Sequence, residues 1–439
     1  MFRKPIYTCT MFALAASMIA GCGETKPETV NVPGQNVPEA DAAVATAEPA
    51  TLKIMYFATL ITQEAVDQFI GEPVKKKYPH ITIEYVNTGG GVSFQKMIEQ
   101  GTPPDLVITD YPNLSAVTDY AYPLDLNPYL ETYKVNLNRL DASPVQGIRN
   151  VGPKGEIFGL PWYVDKFMLF YNKDLFDKFA VAYPTDQMTY EDLVNVSRRL
   201  TRKEDQVQYE GVRWGNLHTV GMQWGIPIIN KQTGKADFQN DLWKRALGVV
   251  KDIHETGITN LPNEAFYKEK RMAMLTQWLN PLLGLAESVE KSGQTLNWDM
   301  ASIPQHREAP GISGAAKPIY LLVSQSSKYK EQAFQAVSYI STSEEVQLLL
   351  SQYGKITALN SEAIRKQFGT KYELVKGKNI EAIFKHQTAP LPYSTNYEKL
   401  ASPELNIAGT DVASGAKDVN TALREAEERA NKKIEAQLK

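Results

Sequence analysis

The stretch that most constrains the fold is residues 160–176, which read LPWYVDKFMLFYNKDLF. Residues 167–171 form an apolar run short enough for a strand buried between helices, and Asn-Lys-Asp at 172–174 ends that strand and starts a helix. We therefore expect the chain to pass from one lobe to another just before this run. Three side chains at the crossing are expected to face a ligand cleft: Trp162, Tyr163 and Asp165.

Length and charge limit the class of protein. At 439 residues the chain is too long for one ordinary core, so two lobes are expected. A net charge of -3 offers no basic face to a nucleic acid, and no such partner is expected. After residue 20, no apolar run approaches the roughly 20 residues needed to span a bilayer. Any connection to a membrane is therefore expected at the N-terminus.

The N-terminus has the pattern of a secretory signal. Two basic residues precede an apolar run at 11–20, and a glycine is followed directly by Cys22. This junction resembles the lipobox of bacterial lipoproteins, in which the cysteine is diacylated and becomes the mature N-terminus. The resemblance implies a signal peptide at 1–21 and lipid attachment at Cys22; the alternative is an ordinary signal with an accidental cysteine. Because Cys9 lies in the removed part, the mature chain can form no internal disulfide.

A low-complexity segment follows the cysteine. Residues 23–49 consist mainly of Pro, Thr, Val, Ala, Glu and Asn with no large aromatic residue, and such a composition cannot bury enough surface to fold. We expect a disordered tether at 22–50, with an end-to-end distance on the order of 30 Å. The tether would let the folded body stand off the membrane.

Two polar side chains follow a predicted buried strand at 105–109. Asp110 and Tyr111 come at its carboxyl end, the place where open α/β sheets hold ligands. The alternative is that Asp110 only caps the turn made with Pro112. Two tryptophans in predicted loop regions, Trp214 and Trp278, are further candidates, although a single tryptophan is more often a core residue.

A set of short segments, taken in order, resembles the family 1 extracellular solute-binding proteins of bacterial ATP-binding-cassette importers. The resemblance runs from about Thr51 to the C-terminus. The matching segments are GTPPD at 101–105, LP at 160–161, LFYNKDLF at 169–176, TYEDL at 189–193, AM at 273–274, WD at 298–299 with Pro304, SK at 327–328 and KEQAF at 330–334.

The resemblance implies an α/β, two-lobed, periplasmic-binding-protein-like fold of type II with the ligand in a cleft between the lobes. The chain is expected to cross the hinge three times, near 160–166, 305–315 and 354–358. The expected N-terminal lobe consists of residues 51–162 and 306–355, and the C-terminal lobe of residues 163–305 and 356–439. Closure of the cleft over a ligand is what a transporter would recognise.

Many members of this family bind sugars by stacking aromatic rings on them and hydrogen-bonding their hydroxyls. The positions here that match cleft-lining ones are Asp110, Tyr111, Trp162, Tyr163, Asp165, Trp278 and, with more variable loops around it, Trp214. The chain departs from the better-known sugar binders at the second crossing, where it reads GISG at 311–314 instead of a GGW-type segment. This departure leaves the class of solute open.

Two other functions remain open from the sequence. A secreted, lipid-anchored hydrolase would need catalytic groups, but the chain has no GxSxG or HExxH motif, and its five histidines are far apart. A ligand-sensing lipoprotein for a membrane receptor would use the same cleft, and neighbouring genes would distinguish it. We expect a monomeric lipoprotein on the outer face of the cell membrane that binds a sugar or oligosaccharide for importer permeases, with no catalysis, cofactor or metal.

Overall fold

The computed structural model describes residues 48–57, 61–88, 91–215, 217–314 and 316–438. The expected signal peptide, Cys22 and most of the expected tether lie outside these ranges. Among the helices of the described ranges, none is long and apolar enough to cross a membrane.

The strands form two main sheets and one small pair. The first sheet has six strands in the order β12-β4-β11-β3-β1-β2, and the second has five in the order β6-β7-β8-β5-β9. The strands are β1 Ala50–Tyr56, β2 Ile81–Tyr85, β3 Leu106–Asp110, β4 Gly159–Asp165, β5 Phe167–Asn172, β6 Arg202–Glu204, β7 Val207–Arg213, β8 Met272–Trp278, β9 Trp298–Ala301, β10 Ile312–Ser313, β11 Lys317–Val323, β12 Ile356–Thr357 and β13 Gln387–Thr388.

Helices pack around both sheets. They are α1 Gln63–Val66, which continues through a π-helical turn at Asp67–Gly71 into α2 Glu72–Lys77, then α3 Phe94–Glu99, α4 Tyr111–Thr118, α5 Asn127–Thr132, α6 Ala142–Val151, α7 Lys173–Lys178, α8 Tyr190–Leu200, α9 Leu217–Gly221, α10 Asp241–His254, α11 Glu264–Tyr267, α12 Leu279–Lys291, α13 Lys330–Thr342, α14 Glu344–Gln352, α15 Glu362–Arg365, α16 Glu398–Ala413 and α17 Val419–Gln437.

The first sheet is mixed. Strands β1, β2 and β3 are parallel, whereas β11 is antiparallel to both β3 and β4. All five residues of β3 are buried, as expected for a strand covered on both faces. The carboxyl ends of β3 and β4 therefore lie beside the start of β11, at one end of the strands of the sheet. This end carries Asp110, Asp165 and Lys317.

The predicted strand and helix at 167–178 are present. Strand β5 is buried along its length, and the Asn172 side chain caps α7 by accepting a hydrogen bond from the Asp174 backbone N–H. Strand β5 pairs with β8 on one side and with β9 on the other, and so lies in the second sheet. Only Lys166 separates it from β4 of the first sheet.

Trp162, Tyr163 and Asp165, which were expected to face a cleft, lie in a buried strand. Strand β4 lies between β11 and β12, and all seven of its residues are buried. Its pairing with β11 shifts register between Ile319 and Tyr320, next to Pro161. A proline lacks the N–H that a central strand donates, and such a bulge is where a sheet tolerates it. The expected lobe boundary after Trp162 thus falls inside β4, and the residue bounds of the lobes stay a prediction.

One buried glutamine fastens this irregular part of the sheet. Gln347 of α14 donates from Nε2 to the carbonyls of Trp162 (2.8 Å) and Ile340 (3.0 Å). Its Oε1 accepts from the Thr357 hydroxyl and the Ala358 N–H, both at 2.8 Å. The side chain therefore satisfies the Trp162 carbonyl beside the bulge and fixes β12 against β4.

We predict that Gln347→Leu lowers the free energy of unfolding by about 3 kcal/mol, because it leaves several buried polar groups unpaired. Urea denaturation followed by circular dichroism measures the change. The matched control is Gln367→Leu at an exposed position, which is expected to stay within about 0.5 kcal/mol of the parent. Equal stabilities of the two variants would contradict the role given to Gln347.

Candidate ligand-binding cleft

A lysine at the start of β11 lies between the first sheet and Trp278 of the second. Lys317 Nζ lies 3.9 Å from Asp110 Oδ2 and 3.8 Å from Asp165 Oδ2. It also lies 4.5 Å from the ring centroid of Trp278, the last residue of β8 in the second sheet. Both carboxylates are almost fully buried. A cation among two acids and an aromatic face satisfies charges that would otherwise be costly to bury.

Asp165 is the hub of this cluster. Its Oδ1 accepts hydrogen bonds from the Lys166 backbone N–H (3.0 Å) and from the backbone and side-chain nitrogens of Asn280 (3.1 Å each). Burial raises the pKa of the Asp165 carboxyl, while the Lys317 charge and the Asn280 hydrogen bonds oppose that rise. Asn280 in turn accepts from Lys355 Nζ at 2.6 Å. The cluster thus joins residues of both sheets and of the segment leading into β12.

Asp110 has the capping role considered from the sequence, and its ligand role stays a prediction. It caps α4, since its Oδ1 accepts from the Asn113 backbone N–H (3.3 Å) and side-chain amide (2.6 Å). Its other oxygen faces Lys317. One carboxylate therefore orients the helix start and contributes charge to the cluster.

Tyr111 and Trp278 line one small cavity between the sheets. The cavity measures about 50 Å³, room for a few water molecules. The Tyr111 hydroxyl donates to the Pro392 carbonyl at 2.6 Å, and burial raises its pKa. Trp278 is partly exposed and meets Phe167 edge to face, with centroids 5.3 Å apart. The cavity residues are Tyr111, Pro112, His218, Met222, Ile226, Trp278, Ala316, Lys317, Leu391, Pro392, Ser394 and Glu398.

The segment at 390–392 fills much of this space. A Cβ at Gly147 of α6 would lie 2.6 Å from Leu391 Cδ1, and a Cβ at Gly225, where φ is +60°, would lie 2.9 Å from the Pro390 carbonyl oxygen. The absence of side chains at both glycines therefore lets the segment fit closely between elements flanking the two sheets. The segment was not among the residues predicted from the sequence.

Two titratable groups in the cavity were also missed. Burial raises the pKa of Glu398 to about 7 and lowers the pKa of His218 to about 4. His218 is therefore neutral near pH 7, whereas Glu398 is close to its midpoint. No local motif marks either residue, and only the packing of α9 and α16 brings them together. The Pro390-Leu391-Pro392 triplet was the one available signal, since it predicts an extended segment.

The structure does not bring all the predicted residues to this cavity. Trp162 is 1% exposed and packs in the core of the first sheet, edge to face with Tyr163. Tyr163 is also buried, but Lys355 Nζ lies 5.4 Å from its ring centroid, and burial raises the pKa of its hydroxyl. Tyr163 is thus a neighbour of the Asp165 cluster, whereas Trp162 lies outside the cavity.

Trp214 lines a different cavity. That cavity measures about 240 Å³ and lies within the second-sheet half, bordered by Arg213, His254 and Asn406 among others. Tyr190 contacts the Trp214 ring edge to face at 5.2 Å. The structure therefore groups Asp110, Tyr111, Asp165 and Trp278 around Lys317 and separates Trp214 from them. Whether each of these residues contacts a ligand stays a prediction.

Several solved structures share this fold. An ABC substrate-binding protein from Listeria monocytogenes in complex with cycloalternan is 19% identical, with a TM-score of 0.69 over 88% of this chain and 99% of that chain. A sugar transporter from Rhizobium etli in an open conformation is 20% identical, with a TM-score of 0.67 over 87% and 99%. The cyclic alpha-maltosyl-1,6-maltose binding protein from Arthrobacter globiformis is 15% identical, with a TM-score of 0.67 over 87% and 98%.

These likenesses confirm the predicted α/β, two-lobed fold. A family model described as bacterial extracellular solute-binding protein matches residues 59–347, more than half of the chain. The sequence match and the shared architecture agree, and the chain belongs to the bacterial extracellular solute-binding proteins.

Proposed function

We propose that this protein is a cell-surface lipoprotein that binds a sugar or oligosaccharide between its two sheets and delivers it to an ATP-binding-cassette importer. Membership of an extracellular family makes it an exported binding protein. The proteins of similar fold named above bind, or are described as transporting, carbohydrates, and this supports the choice of solute. In this proposal it performs no catalysis and acts with permease subunits as its partners.

The observation that carries the proposal is the composition of the cleft. Two aromatic side chains from opposite sides, Tyr111 and Trp278, face a common cavity together with Lys317 and Glu398. Aromatic faces suit the apolar faces of sugar rings, and charged groups suit their hydroxyls. The cleft thus has the chemistry of a site for a neutral, polyhydroxylated ligand.

The cavity of about 50 Å³ is far smaller than the roughly 300 Å³ or more typical of ligand pockets. We therefore propose that solute entry requires the lobes to move apart or the segment at 390–392 to shift. A solute would then stabilise the closed form only by binding it better than the open form. The short connection at Lys166 is the proposed pivot.

A thermal-shift screen tests the solute class. The purified protein is heated with mono- and oligosaccharides, amino acids, peptides and polyamines. A true ligand at 100 times its Kd adds about 2.7 kcal/mol of stability and raises the Tm. Stabilisation by a sugar that is recovered unchanged supports the proposal. Stabilisation only by another class would overturn the sugar, and turnover of the ligand would point to an enzyme.

A pair of variants locates the site. Trp278→Ala is expected to weaken solute binding by more than about 1 kcal/mol with little change in Tm, because the ring borders the cavity. Trp162→Ala is expected to cost about 3–5 kcal/mol of stability, because that ring is fully buried. Calorimetric titration with the solute and thermal denaturation separate the two effects. Unchanged solute affinity in Trp278→Ala would move the site elsewhere.

The carboxyl of Glu398 is expected to make the free energy of unfolding depend on pH. Its pKa of about 7 lies above the unfolded value near 4.3, so the folded chain holds this proton more tightly and stability falls as pH rises between those values. Glu398→Gln removes the ionisation and is expected to raise stability at pH 8 by about 1–3 kcal/mol, with little effect at pH 5.

Denaturation at the two pH values checks this expectation. The control Glu381→Gln changes an exposed carboxylate on another segment and is expected to leave the stability profile unchanged. A parallel shift of Glu398→Gln at both pH values would show that its effect does not come from ionisation.

The proposed anchor is tested at Cys22. Cys22→Ser is expected to move the protein from the membrane fraction to the soluble fraction of expressing cells, because acyl chains provide about 0.8 kcal/mol per buried methylene. Cys9→Ser, inside the proposed signal peptide, is the matched control and is expected to leave the protein in the membrane fraction. Membrane retention of Cys22→Ser would contradict the lipid anchor.

A further inference from the structure

A second cavity lies where the chain connects the two sheets. It measures about 330 Å³, which is within the range of small-molecule pockets. It shares only Ala316 with the cleft cavity. Its walls come from the start of α6, the link between β4 and β5 at Lys166, strand β12, Arg365 and residues 384–388.

The charges on these walls are unbalanced. Three of the lining side chains are cationic, Lys166, Arg365 and Lys385, and one is anionic, Asp141. The anion is already engaged, because its Oδ2 lies 3.1 Å from an Arg365 terminal nitrogen and its Oδ1 accepts from the Ser143 N–H at 3.1 Å. Positive charge therefore remains available to the cavity.

Lys166 supplies part of that unmatched charge. Over the ranges that the structure describes, its ammonium has one hydrogen-bond partner, the Ile383 carbonyl at 2.8 Å, although an ammonium carries three donors. Burial, together with the nearby Arg365, lowers the pKa of Lys166 to about 8. It is therefore largely charged near pH 7 while having no carboxylate partner within salt-bridge distance among the described residues.

A hydroxyl on the same wall is also unsatisfied. The Oγ atom of Ser143 is shielded from solvent and has no hydrogen-bond partner in the described part of the chain. Buried polar atoms without partners are uncommon, and each calls for a ligand, a water or an ion. Apolar groups complete the cavity, among them Pro144, Ile356 and Phe384.

We propose that this cavity binds a small organic anion, whose carboxylate or phosphate group is held by Lys166 and Arg365 with a hydrogen bond from Ser143. Such a group accepts charge-assisted hydrogen bonds from an ammonium and a guanidinium at once. The cavity is larger than a bare inorganic ion requires, and its apolar walls suit the carbon skeleton of the ligand. Lys385, which is exposed, lies at the rim.

The alternative is a purely structural role, in which Lys166 only holds the link between β4 and β5 against the 3₁₀ turn at Ile380–Ile383. That role needs the one hydrogen bond to the Ile383 carbonyl and no anion. It does not account for the surplus of cations or for the unsatisfied Ser143 hydroxyl. It predicts that no anion binds, and the two readings are therefore separable by titration.

Isothermal titration of the purified protein, without any sugar present, tests the proposal. The probes are inorganic phosphate, glycerol 3-phosphate as an organic phosphate, and succinate as a carboxylate. At least one organic probe is expected to bind saturably near pH 7, with a Kd of about 1 mM or tighter. A preference between the last two identifies the anionic group. Binding of none of the three at such concentrations would overturn the proposal.

Variants place the binding in this cavity. Lys166→Met and Arg365→Gln are each expected to weaken the anion about tenfold or more, whereas the neighbouring Lys366→Met is expected to have no effect, because Lys366 is exposed and pairs with Glu362. Two variants keep the test decisive if one of them fails to fold. Undiminished affinity in a folded Lys166→Met or Arg365→Gln protein would overturn the proposal.

The pH dependence adds an independent readout. Arg365 and Asp141 act electrostatically on the Lys166 ammonium, and Lys385 and His386 are the other charged or titratable groups that line the cavity. Anion affinity is expected to fall as pH rises through about 8, and this fall is expected to be absent in Lys166→Met. Trp278→Ala is expected to leave anion binding unchanged, so failure of the sugar proposal and failure of the anion proposal are distinguishable.

Discussion

The structure depends on satisfying one buried carboxylate, that of Asp165. A buried charge must be paired and hydrogen-bonded, or it destabilises the fold by several kcal/mol. Here the partners come from different parts of the chain. Asn280 lies in α12, the helix that follows β8 of the second sheet, and Lys317 begins β11 of the first. Lys355, just before β12, joins through Asn280. The same charge that ends β4 therefore holds together the segments that link the two sheets.

This arrangement places the charge cluster beside the cleft cavity, because Lys317 and Trp278 belong to both. Asp110 and Lys317 face one another across neighbouring strands of the first sheet, and Trp278 reaches them from the second. A cation that bridges both sheets is sensitive to their separation, because Coulomb attraction at this distance weakens quickly when water enters. Any separation of the two sheets would therefore also break the contact between Lys317 and Trp278.

The sequence predicted elements whose signals are local. The run at 167–171 and the cap at Asn172 specify strand β5 and helix α7 without help from distant residues. Asp110 was placed correctly at the end of β3 for the same reason. Strand β4 was missed as a strand because Pro161 and Asp165 interrupt its apolar pattern. It becomes a central strand only through pairing with β11 and β12, which lie far along the chain.

The cleft was harder to predict than the fold. No local pattern distinguishes a buried Trp162 from a Trp278 that borders the cavity. Trp162 is buried because β4 pairs with β11 and β12, which lie far along the chain. Lys317 carries no motif, and the Pro-Leu-Pro triplet at 390–392 predicts an extended segment without predicting its place. Their position depends on packing between elements that lie far apart in the chain, which periodicity and spacing do not encode.

The strand order also bears on when the protein can fold. Strand β11 lies between β3 and β4, yet it begins at Lys317, after every strand of the second sheet has been synthesised. A nascent chain lacking β11 has a gap in the middle of its first sheet and cannot complete that core domain by domain as it emerges. The core of the first sheet therefore stays incomplete until Val323, the last residue of β11, is available.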